Sequence, residues 1–307
     1  MHCSAARPLI SILGDSISTF EGCNPPGFDV FYEGARRRET GVERREDTWW
    51  GIVAEAVGGE VLVNGSFSGS MVEGAGFPAA SSAERIAALA RDGSAPDIVM
   101  AFVGINDYGW GGASNQAAAR GRAVPACAQS CDARPVSYAA EDALPRFEAA
   151  YGVMLARIAA AYPQADVWCF TLCPGRVAHA GAPTFARRLR GVSFEGYNRA
   201  IARQAATHGC RLVDLAACGR DYETLDGTHP TARGMRQIAA MALRRLEPSC
   251  AEGGAALRAG LFAEAFGPGS LISADPCEKP CCIGCPDARS TGATWSLVCE
   301  RGLAWRA

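Results

Sequence analysis

Lysine is almost missing from this chain: of its 30 basic residues only Lys279 is one. Net charge is missing too, because 32 acidic residues against those 30 leave a formal charge of −2 over 307 residues. That balance gives no broad basic surface for nucleic acid or anionic lipid, and small neutral molecules are the expected partners. The preference for arginine, with abundant Ala and Gly, reads as GC-rich coding and is given no function. No apolar run approaches the ~20 residues that a membrane span needs. The segment before Pro8 is too short for a secretory signal, so a cytoplasmic location is expected. In that compartment the 14 cysteines are expected mostly as thiols filling the core. Internal repeats are absent.

What is present is a regular alternation. Short β-branched runs predict strands at 8–13, 60–64, 97–103, 166–171 and 210–214. Between them lie stretches of helical period: Leu144, Phe147, Tyr151, Leu155, Ile158 and Tyr162 fall at spacings of three and four, as do Met235, Ile238, Ala239, Ala242 and Leu246. Further helices are expected over 48–57, capped by Asp47 or Thr48, over 81–92 and over 194–208. Five strands and five helices in alternation predict an α/β fold, a three-layer α/β/α sandwich around a parallel sheet. Residues 109–138, rich in Gly, Ala and Pro, read as an insertion. The main domain is expected to run over 1–248, followed by a Cys-rich appendage over 249–307.

The first strand stops in a particular way. "PLISILGDSIS" delivers Ser16 just beyond the carboxyl end, where reactions in open α/β sheets take place. The second strand runs into "VLVNGSFSGS" and the third into "IVMAFVGIND", placing Gly69 and Asn106 at the same edge. Near the end of the fold "LDGTHPTARGM" puts Asp226 three residues before His229. Each residue alone has a bland reading as a cap, a turn or a loop residue. As an ordered set they supply a nucleophile, oxyanion donors and a base.

These blocks, "GDSIS", the glycine of "SFSGS", "GIND" and "DGTHP", resemble those of the SGNH, or GDSL-like lipase/acylhydrolase, family, over most of residues 8–246. The resemblance implies Ser16 as nucleophile, His229 as base and Asp226 as the acid that orients it. It also implies an oxyanion hole made by Ser16, Gly69 and Asn106, and a flavodoxin-like five-stranded parallel sheet in the order 2-1-3-4-5. The missing Gly-x-Ser-x-Gly argues against an α/β-hydrolase nucleophile elbow. A serine hydroxyl needs an adjacent imidazole to attack a carbonyl, and the oxygen that then becomes negative needs donors already aimed at it. The expected reaction is hydrolysis of a carboxylic ester through an acyl-enzyme, with no cofactor for catalysis. A short acyl group is favoured, and acetyl on a carbohydrate is one candidate. A lysophospholipase or thioesterase of the same family, or a non-catalytic relative that binds a small ligand, stands as the alternative.

Around the blocks, Phe67, Tyr108 and Trp110 are candidates for pocket walls, while Trp49 and Trp50 are expected in the core. Asp15 and Asp107 are expected to support loops. The arginines at 36–38 and 44–45 read as a solvated face. In the tail, five cysteines fall between Cys277 and Cys299. A structural zinc on Cys277, Cys282, Cys285 and Cys299 is one reading, and a disulfide or free thiols are others.

Overall fold

The computed structural model describes residues 7–110, 140–177, 188–189, 192–246 and 254–267. Its first strand, β1 (Leu9–Gly14), is buried at every position but the first, which its unbroken apolar run requires of a central strand. The others follow in chain order: β2 (Glu60–Asn64), β3 (Ile98–Phe102), β4 (Asp166–Phe170), β5 (Gly175–Val177), β6 (Arg188–Leu189), β7 (Val192–Ser193), β8 (Arg211–Val213) and β9 (Tyr222–Thr224). Five of them pair in parallel in the order β2-β1-β3-β4-β8, which is 2-1-3-4-5 counted over those five alone. The order reverses at β1, whose neighbours are β2 on one side and β3 on the other. The loops after β1 and β3 therefore diverge around a crevice at the carboxyl edge of the sheet.

Helices α1 (Gly34–Thr40), α2 (Trp49–Ala56), α3 (Ala83–Ala87), α4 (Ile105–Trp110), α5 (Ala140–Ala161), α6 (Phe194–Thr207), α7 (Ala232–Arg245) and α8 (Gly254–Phe266) complete the described elements. Hydroxyl caps set the starts of several. Thr48 Oγ1 accepts from Gly51 N–H, Ser193 Oγ from Gly196 N–H and Thr231 Oγ1 from Gly234 N–H. Of the two caps expected for α2, Thr48 has that place, and Asp47 instead accepts from the N–H groups of Glu43 and Arg44. The periodic residues of α5 and α7 face the sheet, with Phe147, Tyr151, Leu155, Ile158, Met235 and Ile238 all buried. Trp49 and Trp50 are buried as expected.

Two expectations change. The helix expected over 81–92 ends at Ala87, and beyond it Asp92 (φ 52°) and Gly93 (φ 78°) form a two-residue turn that pairs Arg91 with Ser94. Helix α1 was not expected; on it Arg36 and Arg38 are exposed, with Arg36 paired to Glu39, whereas Arg37 is half-buried, pairing with Glu21 and lying over the Phe20 ring. Helix α8, in the stretch expected as an appendage, packs on α7. Ala265 and Phe266 are buried there, Gln237 Nε2 donates to the Ala265 carbonyl at 3.2 Å, and Arg220 lies over the rings of Phe262 and Phe266. Apart from Gly109 and Trp110, which end α4, the expected insertion lies outside the described residues. Among the described residues no helix is long and apolar enough to cross a membrane.

Candidate active site

Chain geometry at the end of β1 is tight. A Cβ at Gly14 would lie 2.7 Å from Ser18 Cβ and 2.8 Å from Ser66 Oγ, so only glycine lets the strand pass into the turn. The next three residues turn at once into a short 3₁₀ segment, Ser16–Ser18, capped by the Asp15 carboxylate, which accepts from Ile17 N–H at 3.0 Å. The far end of the turn is held as firmly. The Ser18 carbonyl accepts from Trp50 Nε1 at 2.8 Å and Asn64 Nδ2 at 2.7 Å, and Thr19 Oγ1 donates to the Ser16 carbonyl at 3.0 Å.

On the other side of the crevice, β9 runs into a loop closed by Leu225 N–H on the His229 carbonyl at 2.9 Å. Within it Asp226 Oδ1 accepts from the N–H groups of Thr228 and His229, at 3.1 and 2.9 Å. Its Oδ2 lies 2.7 Å from His229 Nδ1, and His229 Nε2 lies 2.9 Å from Ser16 Oγ. A carboxylate can only accept, so Nδ1 carries the proton and Nε2 presents its lone pair to the serine hydroxyl. Burial pushes the Asp226 carboxyl up. The His229 hydrogen bond and charge, with the two backbone donors, outweigh it and bring it down to about 2.

The loop that carries Gly69 is tied to the strand leading into the serine turn by Phe67 N–H on the Gly14 carbonyl at 3.1 Å, and β3, which leads into Asn106, pairs with β1 up to Gly14. Gly69 has φ 76°, and a Cβ built there would meet nothing within 4 Å. Glycine is therefore favoured there by the left-handed backbone. Asn106 Nδ2 donates to the Ser70 carbonyl at 2.9 Å, which fixes the amide and leaves its second hydrogen available. Among the described residues no acceptor is found for the backbone N–H of Ser16 or of Gly69. Asp107 joins these two loops: its carboxylate accepts from Val72 and Glu73 N–H at 2.9 and 3.0 Å. Burial pushes Asp107 up to about 7 against those two donors, and burial likewise pushes Asp15 up to about 7 against Ile17 N–H and the Arg85 charge. Arg85 is itself fully buried, its guanidinium donating to the carbonyls of Gly14 and Pro78.

The model of the GDSL-like Lipase/Acylhydrolase family matches residues 12–237, a span that includes Ser16, Gly69, Asn106, Asp226 and His229. The chain belongs to that family. This GDSL-like chain also has structural neighbours. A protein classed as a GDSL-like lipase from Bacteroides uniformis is 24% identical with a TM-score of 0.52, over 79% of this chain and 96% of its own. One from Bacteroides ovatus is 23% identical with a TM-score of 0.49, over 77% and 96%. An extracellular lipase from Streptomyces rimosus is 17% identical with a TM-score of 0.46, over 79% and 100%. At these identities the likeness concerns the fold. No curated protein matches.

Phe67, Tyr108 and Trp110 were the pocket-wall candidates of this GDSL-like protein. Phe67 is largely buried and packs edge-to-face on Phe28 and Phe77, of which Phe77 is 47% exposed. Tyr108 is fully buried, edge-to-face with Phe194 and Tyr197. Trp110 ends α4, and its side chain lies outside the described residues. Conversely, no motif pointed to Phe31, yet its ring stacks on His229 with centroids 3.5 Å apart and planes within 5°. The signal available was an aromatic pair, Phe31-Tyr32, set in a loop next to a Pro- and Gly-containing stretch. The tail cysteines Cys277, Cys282, Cys285 and Cys299 lie outside the described residues. Among the described residues no group of three or more His, Cys, Asp or Glu is placed to hold a metal ion, and the cysteines there are free thiols.

Proposed function

We propose that this family member is a serine esterase that hydrolyses a carboxylic ester through an acyl-enzyme. The observation that carries the reading is the hydrogen-bonded chain from Asp226 through His229 to Ser16, at 2.7 and 2.9 Å. His229 Nε2 takes the Ser16 proton as Oγ attacks the ester carbonyl, and Asp226 holds the imidazole and stabilises its cation. The negative oxygen of the tetrahedral intermediate is received by the Ser16 and Gly69 N–H groups and the Asn106 amide. His229 then gives the proton to the departing alcohol. Water, deprotonated by the same imidazole, releases the acid and restores the serine. No cofactor enters this cycle. A fluorophosphonate probe tests it: the protein should be labelled on Ser16, and both Ser16→Ala and His229→Ala should lose the label. Labelling that survives His229→Ala would refute the mechanism.

A short acyl group, such as the acetyl of an acetylated carbohydrate, is favoured by the depth of the nucleophile, since Ser16 is only 4% exposed. A second reading, a lysophospholipase or thioesterase acting on a longer chain, is favoured by the exposed Phe77, which with Phe28 and Phe67 forms an aromatic ledge near Gly69. Rates on p-nitrophenyl acetate and octanoate separate them. Faster cleavage of the acetate supports the first reading, and faster cleavage of the octanoate supports the second.

A further inference from the structure

An imidazole held only by hydrogen bonds at Nδ1 and Nε2 is fixed within its own plane. Rotation about the Cβ–Cγ bond, a broad and roughly two-fold torsion, still swings Nε2 off its target. In this protein one face of the His229 ring is closed. The Phe31 ring lies against it at 3.5 Å and 5°, a van der Waals contact that forbids a tilt to that side. The next residue reaches the same loop: Tyr32, fully buried, donates its hydroxyl to the Pro230 carbonyl at 2.9 Å. Phe31 and Tyr32 thus grip consecutive residues, His229 by its ring and Pro230 by its backbone.

The same segment is tied to the serine turn. Phe31 N–H donates to Thr19 Oγ1 at 2.9 Å, and that hydroxyl donates to the Ser16 carbonyl at 3.0 Å. Glu21 N–H donates to the Tyr32 carbonyl at 3.0 Å, closing the loop between them. One continuous path therefore runs from the backbone of Ser16, through Thr19 and Phe31, to the ring of His229.

We propose that Phe31 and Tyr32 are positioning residues that set the catalytic imidazole on Ser16, and that the face of Phe31 also stabilises the imidazolium as it forms. This rests on the esterase reading above. A phenyl face is the negative part of the ring's quadrupole, so a flat cation against it is favoured over a neutral imidazole. The benefit appears only as His229 accepts the proton, in the transition state, and so belongs to kcat.

The test compares wild type with Ser16→Ala, Phe31→Leu, Phe31→Tyr and Tyr32→Phe on p-nitrophenyl acetate, with thermal unfolding confirming that each is folded. Phe31→Leu keeps apolar bulk but loses the flat face. It should lower kcat about 3- to 30-fold with KM within about twofold, the range a face-on aromatic gives a cation. Phe31→Tyr should restore kcat, and Tyr32→Phe should lower it less than Phe31→Leu does. Ring current supplies a readout independent of turnover: the His229 ring protons should resonate upfield in wild type and Phe31→Tyr, and lose that shift in Phe31→Leu. Wild-type kcat in Phe31→Leu, an equal fall in the Leu and Tyr variants, or the absence of the upfield shift would overturn the clamp. A wild type no faster than Ser16→Ala would instead refute the esterase reading.

Discussion

The Asp107 carboxylate holds the Val72 backbone N–H at 2.9 Å, so the loop that carries Gly69 hangs from the residue next to Asn106. Two candidate oxyanion donors from different strands are thereby placed by one buried side chain. Glu73 N–H, at 3.0 Å on the other carboxylate oxygen, completes the attachment. Removing it by Asp107→Ala leaves two inward-facing N–H groups without an acceptor. Each such group costs on the order of 1–3 kcal/mol. The variant should unfold at lower temperature and lose kcat together, whereas a loop held by other means would leave kcat unchanged.

Asn106 itself has a different signature. Its amide is already fixed by the Ser70 carbonyl at 2.9 Å, so in the proposed oxyanion hole it would meet the intermediate without reorganising. Asn106→Ala should lower kcat by ~10²–10³ with little change in KM and little change in stability. A fall below about threefold would remove Asn106 from the hole.

Asp226 is tested by an isosteric change. In Asp226→Asn the amide can offer a hydrogen to Nδ1, which favours the tautomer with the proton on Nε2 and leaves no lone pair for Ser16. By the serine-protease template the loss is ~10⁴ in kcat. Steady-state rates on p-nitrophenyl acetate measure it, and a loss below tenfold would show that Asp226 does not set the tautomer.

How much of this was legible in the sequence depends on where each signal lives. The five parallel strands were found almost to the residue, because strands such as Ile98–Phe102 are buried on both faces and must be written as unbroken apolar runs. Thr48 and Thr231 announced their helices by local chemistry. The turn beyond α3 was also written locally, in the Asp92-Gly93 dipeptide, although the helical period around it hid the turn. Ser16, Gly69, Asn106, Asp226 and His229 were legible as an ordered set of motifs. Phe31 was not, because its role comes from a contact across nearly two hundred residues, and no spacing rule carries that. Tyr108, fully buried against Phe194 and Tyr197, shows the converse. Closeness in sequence to Asn106 says nothing about which side of α4 a ring occupies.

Stability should carry two opposed pH signatures. Asp226, brought down to about 2 from an ordinary 3.8, stabilises the fold above the unfolded value, and that contribution is lost as pH falls from about 4 through 2. Asp15 and Asp107, both pushed up to about 7 by burial, act the other way. Their neutral forms suit the native state, so their contribution is complete below about 4 and is lost as pH rises through about 7. Asp15→Asn isolates this second signature, because the amide keeps an oxygen for Ile17 N–H but cannot ionise. Urea unfolding at pH 5 and pH 8 should show wild type losing more stability on alkalinisation than the variant does. An equal difference at the two pH values would mean that Asp15 is ionised throughout, held by the Arg85 charge and the Ile17 donor more strongly than burial opposes it.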